Sequence, residues 1–116
     1  MKWTEERPWG RFVNLLDSST CKVKLIEVDP GRRLSYQSHA KRQESWTVVM
    51  GEGVVVIDER ELLLKVGDHV DIPISAKHRL ANSSSSKLQI IEVQTGSYFG
   101  EDDIVRYQDD FGRSST

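Results

Sequence analysis

Gln37, His39 and Glu44 fall within eight residues of one another, and His78 follows 34 positions after the glutamate. One amide oxygen, two imidazoles and one carboxylate are donors that a divalent transition metal accepts. Each group sits in a glycine-punctuated frame, Gly31-x5-Gln37-x-His39-x4-Glu44-x6-Gly51 and Gly67-x5-Pro73-x4-His78-x3-Asn82. No other cluster in the sequence combines comparable ligands. Imidazole and carboxylate take zinc, manganese, iron, cobalt and nickel alike, so the expectation is one divalent ion of unspecified identity.

For these four side chains to meet, distant segments must share an interior. Short β-branched runs broken by turn residues dominate the chain, which points to an all-β barrel or sandwich. The runs read as strands are 21–28, 34–39, 45–50, 53–57, 61–66, 69–72, 78–81 and 88–94. Side chains two apart on a strand share a face, so Gln37 and His39 point the same way. The loop 40–43 then lets Glu44 lead the next strand beside them. His78 joins only if the sheet rolls up, because a closed barrel brings inward positions of distant strands together. Asp29-Pro30-Gly31 and Gly51-Glu52-Gly53 supply turns, and Asp58-Glu59-Arg60 reads as a hairpin tip. The acids of 101–107 suggest a short helix with negative charge at its positive end. Arg113 to Thr116 reads as a frayed terminus.

The length, 116 residues, suits a single domain spanning 1–116. A net charge of −2 favours neither nucleic acid nor an anionic membrane as partner. No apolar run approaches the roughly 20 residues of a spanning helix, and residues 1–7 lack the apolar stretch of a secretory signal. The lone Cys21 cannot close an internal disulfide and reads as a small buried hydrophobe, which fits a reducing, cytoplasmic setting. Asn82 is expected to tie down its loop. His69 is expected at the surface, and Trp46 and Tyr36 in packing.

The same residues resemble the cupin superfamily, and the resemblance goes further, to the type II mannose-6-phosphate isomerases. It is carried by Arg7-Pro8-Trp9-Gly10, by Pro30-Gly31-x2-Leu34-Ser35-x-Gln37-x-His39-x2-Arg42-x-Glu44-x-Trp46-x-Val48-Val49-x-Gly51, by Ile72-Pro73, His78-Arg79-Leu80-x-Asn82 and Ile91-Glu92-Val93-Gln94, and by Gly100-Glu101-Asp102-Asp103-Ile104-Val105-Arg106 with Gly112-Arg113. The resemblance implies a cupin fold, a double-stranded β-helix or jelly-roll barrel, with a short C-terminal tail. It also places Gln37, His39, Glu44 and His78 on the family's metal positions. Ser45 departs from the histidine the family usually carries between its glutamate and tryptophan, and Ser75 from a usual glycine.

The implied activity is interconversion of mannose 6-phosphate and fructose 6-phosphate by proton transfer between C1 and C2. A base near neutrality is then needed. Glu44 is the carboxylate best placed by sequence, with Glu92 and His69 behind it. The phosphate needs cations, in the order Arg42, Arg113, Arg106, Arg79. Arg42 lies between two ligands and is expected at the reacting end as well, and Lys24 is left with its side undecided. A sugar-phosphate substrate and a homodimer, formed by the segment before Cys21 crossing to a neighbour, are the expected partners. The rival readings are a non-enzymatic metal- and sugar-binding cupin and an Fe(II)-dependent dioxygenase.

Overall fold

The structure is a computed structural model that describes residues 3–113. Among the described residues, eleven strands form two antiparallel sheets. In chain order they are β1 (Trp3–Arg7), β2 (Gly10–Asp17), β3 (Cys21–Val28), β4 (Tyr36–Ser38), β5 (Arg42–Met50), β6 (Glu52–Ile57), β7 (Arg60–Lys65), β8 (His69–Ile72), β9 (His78–Ala81), β10 (Leu88–Gly96) and β11 (Val105–Gln108). The larger sheet runs β1-β2-β3-β10-β5-β8 and the smaller β11-β4-β9-β6-β7. Successive strands β4 to β7 alternate between the sheets or turn back within one, which closes the two layers over a shared interior. None of the described residues forms a helix long and apolar enough to cross a membrane.

The inner face changes chemistry along each strand. On β10 the inward positions read Leu88, Ile90, Glu92, Gln94, all buried. On β5, antiparallel to it, they read Arg42, Glu44, Trp46, Val48. Register sets Val48 beside Ile90, Trp46 beside Glu92 and Glu44 beside Gln94, while β3 sets Ile26 beside Ile90 and Lys24 beside Glu92. One end of the barrel is therefore a hydrocarbon core, with Val28, Val55, Leu80, Leu88 and Ile90 fully enclosed. Each such side chain stabilises the fold by about 1.5–3 kcal/mol. The other end collects buried polar groups, which persist only if they pair or hold a ligand.

Two backbone features shape the strand ends. The β6–β7 hairpin turns through Asp58 and Glu59, both at positive φ, the backbone of a two-residue turn matched to strand twist. Gly96 ends β10 opposite Arg42 at φ +149°, where a Cβ would lie 2.3 Å from the Lys41 carbonyl oxygen. Only glycine lets β10 approach the ligand-bearing loop this closely.

Several expectations are corrected. Residues 101–103 form a turn and 105–108 the strand β11, not a helix; β11 pairs with β4, and its extended backbone is held by that ladder. The strand expected at 45–50 begins at Arg42, and that expected at 34–39 shortens to Tyr36–Ser38. Cys21 is half-buried at the start of β3, beside Ser18, rather than enclosed. Of the frayed terminus, residues 114–116 lie outside the described residues.

Candidate metal centre

At the polar end of the barrel His39, Glu44 and His78 converge, all buried, with one ligand atom from each lying within 4.8 Å of the others. His39 Nε2 stands 3.3 Å from Glu44 Oε2, and His78 Nε2 stands 3.7 Å from Glu44 Oε1. The opposite ring nitrogens are fixed by backbone. His39 Nδ1 donates to the Asp103 carbonyl at 2.7 Å, and His78 Nδ1 to the Ala76 carbonyl at 2.9 Å. These two carbonyls select the tautomer that leaves each Nε2 with its lone pair facing the carboxylate. His78 Nε2 is buried with no hydrogen-bond partner among the described residues.

Electrostatics hold the imidazoles in the binding form. Burial, and next the Arg42 guanidinium, pushes His39 down to about 4. Burial lowers His78 in the same direction. Neutral imidazoles with oriented lone pairs, a carboxylate between them and an orphaned buried acceptor are what a divalent cation requires. Gln37 lines the same cleft, its Oε1 accepting from Ser35 Oγ at 3.3 Å. The residues present fit the ion.

The tail completes this arrangement. Besides the carbonyl that holds His39, Asp103 offers its carboxylate to the amides of Ala40 and Lys41 at 3.0 and 2.9 Å. Asp103→Ala keeps the carbonyl that holds His39 but removes the carboxylate clamp on the turn after it, and is expected to weaken ion binding by up to about tenfold. Calorimetric titration with Zn(II) checks this; an unchanged affinity would show that the clamp is dispensable.

Around the ligands lies a buried polar network. Trp46 Nε1 donates to Glu44 Oε1 at 3.1 Å and to Glu92 Oε1 at 3.2 Å, and Gln94 Nε2 donates to Glu92 Oε2 at 2.9 Å. Trp46 is therefore more than packing: its indole bridges two carboxylates. Burial, and next the Glu44 carboxylate, raises Glu92 to about 7. An acid whose pKa rises on folding binds its proton more tightly in the native chain. Its contribution to stability is then lost as pH rises from 4.5 toward 7, and the full penalty applies above that.

Glu92→Gln removes the charge, and Gln94 can turn its Oε1, which has no hydrogen-bond partner among the described residues, to the new amide. The variant is expected to exceed wild type in stability at pH 8 by up to about 3 kcal/mol, the gap closing toward pH 5. Urea unfolding of metal-free protein at the two pH values measures it. A gap independent of pH would remove burial as the cause.

Arg42 starts β5 with its guanidinium inside the barrel. Its Nε donates to Glu44 Oε2 at 2.9 Å and its Nη2 lies 3.3 Å from His39 Nε2. Nη1 is buried without a hydrogen-bond partner among the described residues, with Glu101 Oε2 3.7 Å away. The cleft above has about 590 Å³ of empty space, open mouth included, and Arg7, Lys24, Arg42, Arg106 and Arg113 line it against Glu44, Glu92 and Glu101. Lys24 thus faces inward, paired with Glu101 at 3.1 Å and stacked over Phe12 at 4.1 Å.

Other named residues stand elsewhere. Arg79 is buried on the outer side of β9, donating to the Leu34 and Gln108 carbonyls at 2.8 and 3.1 Å, and does not line this cleft. His69 is half-exposed on the outer face of β8, between Thr47 Oγ1 and Asp71, which separates it from any proton transfer at the centre. Ser45 points outward to the same Asp71 at 2.7 Å, so its departure from histidine leaves the cleft lining unchanged. Asn82 bonds Val28 O, Ser86 O and Ser84, the structural tie expected of it. Tyr36 binds Glu59 on the far side of β4. Sequence reasoning missed Arg7 and Glu101 as cleft residues; their motifs were visible, but which strand faces them was not.

Comparison with known proteins gives a consistent picture. A family model described as "Mannose-6-phosphate isomerase C-terminal" matches residues 1–109. Alginate biosynthesis protein AlgA of Pseudomonas aeruginosa is 47% identical over 109 residues, covering 94% of this chain and 23% of AlgA. A mannose-1-phosphate guanylyltransferase of Escherichia coli is 40% identical over 107 residues, covering 92% of this chain and 23% of that protein. The chain thus spans about a quarter of the length of the curated relatives it matches. Among solved structures, a cupin 2 conserved barrel domain protein from Salinispora arenicola superposes with TM-score 0.68 at 21% identity, covering 75% of this chain and 76% of that one. The fold is that of a cupin.

Proposed function

This chain belongs to the mannose-6-phosphate isomerase C-terminal family, and from that premise we propose that it is a metal-dependent aldose–ketose isomerase acting on mannose 6-phosphate and fructose 6-phosphate. The observation that carries the reading is the convergence of two oriented imidazoles on one carboxylate at the floor of a cationic cleft. Gln37, His39, Glu44 and His78 would hold a divalent cation, which supplies Lewis acidity to the substrate's carbonyl oxygen when bound.

The remaining work falls to the chain's own side chains. Arg42 turns an unsatisfied N–H into the cleft beside Glu44, where it meets negative charge developing on the oxygens of C1 and C2. Both Glu44 oxygens already accept from Arg42 and Trp46. Glu92 lines the cleft one network step away, outside the proposed ligand set, and is the carboxylate that carries the proton between the two carbons. Trp46 and Gln94 fix its orientation.

The test is direct. Chain loaded in turn with Zn(II), Mn(II), Fe(II), Co(II) or Ni(II) is mixed with mannose 6-phosphate and assayed for fructose 6-phosphate. Product with at least one ion is expected. Tight sugar-phosphate binding with no product under any ion would replace the isomerase with a binding cupin, and ion-dependent oxygen uptake with Fe(II) would replace it with an oxygenase.

A further inference from the structure

We infer that the substrate's phosphate is received by Arg7, Arg106 and Arg113 together, and that Arg42 serves the opposite, reacting end. This rests on the isomerase reading above and deepens it. Arg42 is 94% withdrawn from solvent and hydrogen-bonded to the carboxylate between the two imidazoles, so its reach ends at C1 and C2. A phosphate at the far end of a six-carbon chain needs a different receiver.

Three guanidinium groups lining the same cleft come from separate elements: the last residue of β1, the second of β11 and the tail. Each is placed independently. Arg7 is held by Glu5 at 2.8 Å and the Glu6 carbonyl at 3.0 Å, with its guanidinium 4.9 Å from the Phe12 ring centre. Arg113 is pinned through Nε and Nη2 to Asp109 at 2.7 and 3.1 Å, and the Asp109 side chain is itself enclosed. Arg106 lies between them in the electrostatic sense: after burial, the positive charges that most lower its pKa include Arg113 and Arg7.

The cleft lining carries five cations against three carboxylates, with Glu5 and Asp109 holding Arg7 and Arg113 from outside it. Guanidinium groups gathered in a partly enclosed space favour a dianion, and their forks match phosphate oxygens in geometry as well as charge. The ligand class is a phosphate monoester on a polyol chain.

Calorimetric titration of the chelator-treated chain, residues 1–116, with fructose 6-phosphate, fructose and inorganic phosphate tests this without turnover. Wild type is expected to bind the phosphate ester and inorganic phosphate but not fructose. Arg106→Gln and Arg7→Gln are each expected to weaken phosphate binding about tenfold or more, whereas Arg42→Gln, titrated at a temperature where circular dichroism shows it folded without metal, changes it less than about twofold. Arg7 sits on an edge strand, so its variant guards against loss of fold in the other. Equal affinity for fructose and its phosphate, or loss of phosphate binding in Arg42→Gln alone, would overturn the assignment. The turnover assay separates the two readings: phosphate binding as expected with no product keeps the receptor and removes the isomerase, and the reverse pair removes the receptor alone.

Discussion

His78→Ala is expected to lower divalent-ion affinity by two orders of magnitude or more and to take isomerase turnover with it. The apparent 10–16 kcal/mol of a four-ligand zinc site implies about 3 kcal/mol per ligand, or roughly a hundredfold. Three features of this position make the loss irreplaceable. His78 is 1% exposed, so water has no ready path to its place. Its Nδ1 is committed to the Ala76 carbonyl, which frees Nε2 for the ion alone. Its ring also packs edge-on to Trp46 at 5.7 Å between centres, so removal disturbs the indole that bridges Glu44 and Glu92. Competitive chelator titration gives the affinity; a variant that keeps wild-type ion content after dialysis would show that the imidazole is not a ligand.

Arg42→Gln is expected to cut turnover by about a hundredfold to a thousandfold while leaving the ion in place, the range found when a preorganised donor to a developing oxyanion is removed. The same substitution acts on stability in a way that depends on the ion. In metal-free chain the Arg42–Glu44 pair is 6% and 2% exposed. Breaking such a buried pair from one side costs about 3–5 kcal/mol because the remaining charge has no partner. A cation held by Gln37, His39, Glu44 and His78 would neutralise Glu44 and offset much of that cost. Thermal unfolding with and without Zn(II) therefore has a distinct signature: Arg42→Gln is markedly weaker than wild type without metal and close to it with metal. Equal destabilisation in both states would mean that Glu44 does not bind the ion.

Much of this centre could be read from the sequence, because the signals were local. Spacing by two put Gln37 and His39 on one face, and the loop 40–43 returned Glu44 beside them. The all-β class followed from short β-branched runs, and His78 joined through a closed barrel. The tail was different. Glu101-Asp102-Asp103 carries helix-start chemistry, yet pairing of β11 with β4 and the Asp103 clamp on Ala40 and Lys41 outweighed local propensity. Nothing along the chain could show that a backbone carbonyl 64 residues away would orient His39.

The arginines show the same division. Arg79 was the last of the phosphate candidates; it follows inward-facing His78, so alternation sends it outward, and its burial against the Leu34 and Gln108 carbonyls required the fold. Arg42 faces inward because β5 begins three residues earlier than its apolar run suggested. Glu92 was visible as a charged residue in the pattern Leu88-x-Ile90-x-Glu92-x-Gln94, where an acid occupies a core-facing position. That break in the alternation marked the change from hydrocarbon core to polar centre.

The central claim is that His39, Glu44 and His78 share one cation, and anomalous scattering locates it most directly. Crystals of the chain grown with Zn(II) are measured at the zinc absorption edge. A single strong peak is predicted about 2.0–2.2 Å from His39 Nε2, His78 Nε2 and a Glu44 oxygen. A peak elsewhere on the molecule, or none within the barrel, would contradict it.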